Sequence, residues 1–175
     1  PYSYLDSNSN TAGGIDVEIN NAALKWMGIT KVNYLLMPFG QLIPAVLSKR
    51  IDVIAANIHI TDERAKVISF TGPAWWYGPA ILLAKGNPKH ITSFESLKSV
   101  NVGIVAGSAS ENRLKAYGVT PSTLFQTDGE EFASISQGRV DAVVDDDIKI
   151  NGYLKANPNV PLEMIQAPLP GGLDI

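Results

Sequence analysis

Three stretches carry residue types whose chemistry depends on where the fold puts them. Asp145-Asp146-Asp147 places three carboxylates directly after the apolar run Val140–Val144. A helix start uses negative charge at one or two such positions; three in a row could also seat a cation, such as an ammonium group or calcium. Arg64 closes the run Thr61-Asp62-Glu63-Arg64, and a guanidinium fixed in place grips a carboxylate through two parallel hydrogen bonds. Ala106-Gly107-Ser108-Ala109-Ser110 is a turn of small residues between a strand pattern and a helix pattern. It reads either as a plain N-cap or as a cradle where the first N–H groups of a helix meet a carboxylate or phosphate.

Aromatic and imidazole side chains near these stretches leave two readings each. His59 lies between Ile58 and Ile60, two residues past Asn57, and is either structural or a contact to a ligand. Phe39, between Pro38 and Gly40, is either an exposed shelf for a ligand or a cap on a core. Trp75, Trp76 and Tyr77 read as packing. Other chemistries are excluded or thin. The two histidines, His59 and His90, are too few and too far apart for a zinc motif, so neither a metal nor a cofactor is expected. No phosphate-binding glycine loop and no Gly-x-Ser-x-Gly elbow is present. With no cysteine in the chain, thiolate catalysis and disulfides are ruled out.

A composition of 45% hydrophobic and 18% charged residues over 175 positions is that of a folded globular protein. The net charge of −3, with no basic stripe, argues against nucleic acid as a partner. No apolar run approaches the ~20 residues that a membrane-spanning helix needs.

The elements that must hold these residues follow from periodicity. Residues 1–14 are loop. Asp16–Met27 has apolar residues Ile19, Ala22, Ala23, Trp26 and Met27 at the spacing of one buried helical face. Val32–Met37 is a strand, Gln41–Ser48 a helix, and Ile51–Ala56, Val67–Phe70 and Ala80–Ala84 are strands. After the turn Lys85-Gly86-Asn87-Pro88-Lys89, the alternation restarts. It gives helices at Ser93–Ser99, Ser108–Tyr117, Asp128–Gln137 and Ile148–Ala156, and strands at Asn101–Val105, Thr123–Gln126, Val140–Val144 and Leu162–Ile165. Alternating strands and helices with uniformly apolar strands predict an α/β fold with mostly parallel sheets. Ser48-Lys49-Arg50-Ile51-Asp52-Val53-Ile54-Ala55 is echoed by Gln137-Gly138-Arg139-Val140-Asp141-Ala142-Val143-Val144, which points to two lobes on one plan. The expected division is lobe 1 over 1–84, lobe 2 over 85–168, and a return hinge or tail over 169–175.

Several segments together resemble the family of periplasmic solute-binding proteins for polar amino acids that feed ABC importers. Gly14-Ile15-Asp16-Val17-Glu18 is similar to its G-F-D-V-D-L helix start, and Phe39 through Pro44 to its aromatic-x-x-L-I-P segment. Ile51–Arg64 resembles I-D-x-I-x-x-x-x-x-I-T-x-E-R. Val102–Ser110 with Arg139–Asp146 resembles the V-G-V-x-x-G-S/T and G-R-x-D-A-x-x-x-D pair. The resemblance implies a two-lobed fold of the type II periplasmic binding kind, in the periplasm or outside the cell, a lipid-anchored precursor being compatible with it. It implies Arg64 on the ligand carboxylate, Ser108 and Ala109 assisting, Asp146 on the ligand amino group, and Phe39 stacking; Ser110, in the same small-residue turn, is a further candidate contact. Asn57 and His59 stand where the family carries small residues and Ser/Thr, so they bear on specificity. Lys85–Lys89 resembles the ectoine-type branch. The implied partners are a small zwitterion and an importer permease. A dehydratase of the cyclohexadienyl type on the same fold, or a sensor domain, are the alternatives. The family's first strand would precede Pro1 and its closing segments would follow about Pro168, so this chain is expected to span only part of the family plan.

Overall fold

A computed structural model describes residues 2–6, 8, 9 and 11–166. The return segment expected at 169–175 lies outside them. The chain divides into two compact units, Pro1–Phe70 and Thr71–Ile175. This division and the expected one differ by the segment 71–84, whose strand pairs within the second unit.

In the first unit a short antiparallel ribbon, β1 (Tyr4–Leu5) with β2 (Ala12–Gly13), opens the chain. The Asp6 carboxylate tightens its turn by accepting the N–H groups of Asn8 and Ser9. Helix α1 (Ile15–Trp26) follows, one residue from the expected start. Its expected inward face, Ile19, Ala22, Ala23, Trp26 and Met27, is exposed, and Trp26 is 90% exposed. Only Asp16 and Val17 are buried. Periodicity shows that a helix has an apolar face, not what lies on it. A turn of 3-10 helix at Phe39–Gln41 leads into α2 (Leu42–Leu47), which buries Leu42 and Ala45. Leu47, expected inward, is exposed. The four-residue α3 (Asp62–Ala65) starts at Thr61, whose hydroxyl accepts the Arg64 N–H. The strands expected at 32–37, 51–56 and 67–70 pair with nothing among the described residues. A strand exists only through its ladder, and β-propensity does not name a partner.

The second unit is far more regular. Its sheet contains β3 (Pro79–Ala84), β4 (Val102–Val105), β5 (Thr123–Phe125), β6 (Ala142–Asp146) and β7 (Leu162–Gln166), in the order β5-β4-β6-β3-β7. β4 runs parallel to β5 and β6, while β3 runs antiparallel to β6 and β7. The helix-flanked α/β plan therefore holds with a mixed sheet. Between the strands lie a 3-10 stretch at Glu95–Ser99, α4 (Ala109–Ala116), α5 (Asp128–Ser136) and α6 (Asp147–Ala156). Alternate strand residues fill two cores, one on each face. Ile81, Leu83, Ile104 and Val144 pack with Phe94, Leu97 and Leu114. Ala80, Leu82 and Val143 pack with Phe132, Ile135 and Ile150. Because β4 and β6 are parallel, their C-terminal ends, at Val105 and Asp146, reach the same edge of the sheet. β3 begins at that edge, with Pro79 opposite Asp146.

Gly103 sits where β4 meets β5. A Cβ there would lie 2.5 Å from Cε2 of Phe125, a ring already closed in by the core. Gly103→Ala is therefore expected to destabilise the protein by about 1–3 kcal/mol through overpacking, read as a lowered urea midpoint with an unchanged m-value. A midpoint equal to the parent's would mean that the ring moves aside freely.

Candidate functional site

Two sets of candidate side chains are built separately, one in each unit. In the first, the chain leaves 51–56, passes through Asn57 in the left-handed region (φ 46°), and reaches Thr61 at the head of α3. Asparagine tolerates that conformation better than most residues. The turn brings the His59 carbonyl to where it accepts a hydrogen bond from the Arg64 Nη1 at 2.9 Å. Arg64 is buried, and its guanidinium carbon lies 5.6 Å from the centre of the Phe39 ring, within cation–π range. A carbonyl and a ring thus hold the planar cation. Of the residues singled out by sequence here, Arg64, Phe39 and His59 come together, and Asn57 shapes the turn that joins them. His59 contributes its main-chain carbonyl to this arrangement.

Asp16 escaped the sequence reading as a site residue. It is buried near the start of α1, and its carboxylate accepts the backbone N–H of Asn57. Burial pushes its pKa up to about 6, against the pull of that hydrogen bond. Its Oδ2 has no partner among the described residues. The signal was an acid inside the quoted helix start Gly14–Glu18.

In the second unit, Gly107 at φ 75° turns the chain from β4 into α4, a conformation that costs glycine nothing. Ser108 becomes the N-cap residue but makes no capping bond, and its hydroxyl oxygen is buried without a partner among the described residues. Ala109 and Ser110 form the first turn of the helix, where N–H groups have no intrahelical acceptor. The three carboxylates after β6 have separate surroundings. Asp145 Oδ1 pairs with Lys149 Nζ at 2.8 Å and accepts the Asp146 N–H at 2.8 Å. Asp147 ties the sheet edge, accepting from the Gly78 N–H at 3.4 Å and the Gln166 amide at 3.3 Å. Asp146, buried at the end of β6, has Oδ2 3.8 Å from Lys149 Nζ.

Below this edge lies a buried acid network that sequence reasoning missed. Glu131 on α5 is fully buried, and neither of its carboxyl oxygens has a hydrogen-bond partner among the described residues. Carboxylate oxygens of Asp128, Glu131 and Asp145 lie within 4.8 Å of one another, a spacing that could hold a metal. Lys149 already occupies the cation's role there, with its ammonium 3.3 Å from Asp128 and 2.8 Å from Asp145. Burial, then the Asp145 charge, pushes the Glu131 carboxyl well above the usual range. Burial likewise raises Asp145. Burial and then Asp145 raise Asp146 to about 8, with Lys149 and Arg113 pulling the other way. For Lys149, burial opposes the ammonium, but Asp145, Asp128 and Asp146 outweigh it and lift the pKa well above normal. The visible signals were an acid on the helical face of Phe132 and Ile135, and a lysine three and four residues after two aspartates. A shallow hollow at the other end of this sheet is lined by Leu83, Asn87, Lys89 and Asp141. It contains no unpartnered buried polar group among the described residues.

Residues 1–148 match the family of bacterial extracellular solute-binding proteins, family 3. The chain belongs to this family. It is a family of solute-binding proteins, not enzymes. Among similar proteins, the lysine/arginine/ornithine-binding periplasmic protein of Escherichia coli is 29% identical over 160 residues, covering 89% of this chain and 60% of that protein. A probable histidine-binding protein of Neisseria gonorrhoeae is 28% identical, over 96% of this chain and 63% of its own. This chain thus spans under two thirds of the length of these curated relatives. A solved ancestral arginine-binding protein bound to arginine is 36% identical with a TM-score of 0.85, covering 100% of this chain and 79% of that one. EhuB in complex with hydroxyectoine, at 20% identity and TM-score 0.90 over 99% of this chain and 69% of that one, shares the fold. Among the described residues, no helix is long and apolar enough to cross a membrane.

Removing Lys149 would leave buried carboxyls uncompensated. Lys149→Met is expected to cost about 3–5 kcal/mol of unfolding free energy. The raised carboxyl pKa values set the sign of the pH effect. The folded state keeps protons that the unfolded state loses, so the variant weakens as pH rises. Urea unfolding at pH 5 and pH 8 checks this, with the larger loss expected at pH 8.

Proposed function

We propose that this chain captures a small zwitterion, a polar amino acid or an ectoine-like compatible solute, outside the cytoplasm and presents it to an ABC importer permease. The observation that carries this reading is Arg64. It is a buried guanidinium held by the His59 carbonyl and the Phe39 ring, in a family of solute-binding proteins. A buried cation held in this way suits a ligand carboxylate, with Phe39 offering its ring to the rest of the ligand. The Ser108 hydroxyl and the Ala109 and Ser110 N–H groups offer further donors to an anion, and the unpartnered Ser108 oxygen supports that role. Asp146 takes the ligand's amino group. Asn57 and His59 are assigned to specificity. The arginine and glutamine bound by the ancestral relatives and the lysine, arginine and ornithine of the Escherichia coli protein's name support an amino-acid ligand.

A thermal-shift screen of arginine, lysine, histidine, glutamine and hydroxyectoine should find a stabilising compound, worth about 2.7 kcal/mol at a hundred times its Kd. Arg64→Ala should abolish that shift. Equal binding by parent and variant would refute the assignment of Arg64. A second measurement addresses Asp146. With a pKa of about 8, its carboxyl is largely protonated at pH 7 without ligand, yet an ammonium group requires the carboxylate. Binding at pH 7 should therefore release protons, seen as a dependence of calorimetric heat on buffer ionisation enthalpy, and affinity should rise between pH 6 and pH 8. Asp146→Asn should remove both effects.

A further inference from the structure

The Arg64 anchor depends on a short chain of contacts that begins in another helix. We propose that Asp16 is a positioning residue for Arg64, acting through the Asn57 turn; this rests on reading Arg64 as the carboxylate anchor. Asp16 lies in the first turn of α1, far from Arg64 in sequence. Its backbone is held from three sides. Its N–H donates to the Tyr2 carbonyl at 2.9 Å, its carbonyl accepts the Asn20 side-chain amide at 2.8 Å, and Gly14 at φ 112° starts the helix just before it. From this held backbone the carboxylate accepts the Asn57 N–H.

Asn57 is where this contact has leverage. Its left-handed backbone is strained for any residue with a Cβ and persists only when neighbours hold it. Two residues on, the His59 carbonyl accepts from Arg64 Nη1, and Thr61 caps the helix that carries Arg64 by accepting its N–H at 3.3 Å. Each end of the arginine is thus tied to the segment that Asn57 starts. If the Asn57 N–H loses its acceptor, the turn relaxes, the His59 carbonyl moves, and the guanidinium loses the bond that sets its plane. A carboxylate buried against its own hydration and directed at one strained N–H is consistent with this role.

The test compares Asp16→Ala with Asp16→Asn, because the asparagine carbonyl accepts the same N–H without a charge. In the parent, the Arg64 guanidinium should give a resolved, slowly exchanging Nη–H signal by 15N NMR, and the Asn57 amide should be protected from hydrogen exchange. Asp16→Ala should lose the Arg64 signal and speed Asn57 exchange about tenfold or more, while Asp16→Asn keeps both near parent values. An unchanged Arg64 signal in Asp16→Ala overturns the proposal. So does an Asp16→Asn variant that loses the signal as fully as Asp16→Ala, since the effect would then be general loosening. With L-arginine as probe, Asp16→Ala should weaken binding about tenfold, and adding it to Arg64→Ala should cost little more. If Arg64→Ala alone binds L-arginine like the parent, the anchor reading fails, while the NMR comparison still decides whether Asp16 positions Arg64.

Discussion

The ion pair between Lys149 and Asp145 is the interaction on which the second unit's candidate edge depends. Four carboxyls, from Asp128, Glu131, Asp145 and Asp146, gather beneath the C-terminal end of β6, with Lys149 the ammonium among them. Burial makes unneutralised charge costly, so protons and one ammonium hold the group together. The same pairing locks the backbone, because Asp145 Oδ1 accepts the Asp146 N–H as well as the lysine. Asp146 is thereby set in place by its neighbours at the end of β6.

The first unit solves the equivalent problem with fewer charges and more backbone. Arg64 is oriented by a carbonyl and an aromatic ring, and the turn that supplies the carbonyl leans on a buried aspartate. In each unit a buried acid lies just outside the candidate set: Asp16, whose carboxylate accepts the Asn57 N–H, and Glu131, beside Asp145. Both are buried with their pKa values raised by desolvation. Both candidate sets place charged groups where solvent cannot reorient them.

Much of the second unit was legible from residue order. Its strands are doubly buried runs such as Ala80–Leu83, whose uniform apolarity is unambiguous, and its helices begin at caps such as Thr127, which accepts the Glu130 N–H. The first unit was less legible. Val32–Met37 and Ile51–Ala56 have the composition of strands, yet they make no ladder among the described residues, because pairing is a property of two segments. The helical face of Ile19 and Trp26 was read correctly as a face and wrongly as a buried one. Likewise Asp16 and Glu131 look like ordinary helix acids until tertiary burial shows what they touch.

Residue order by itself determined the α/β alternation, the family pattern and the candidacy of Arg64, Ser108 and Asp146, since these are carried by local spacing and side-chain type. Tertiary structure alone decided how those groups are held. It distinguished three adjacent aspartates, giving Asp145 to Lys149 and Asp147 to Gly78 and Gln166. It also made the His59 carbonyl the acceptor that orients Arg64, and put a lysine among carboxylates spaced closely enough for a metal. The physical reason is that charge and hydrogen bonding are settled by neighbours distant in sequence. Only folding brings those neighbours within three or so ångströms.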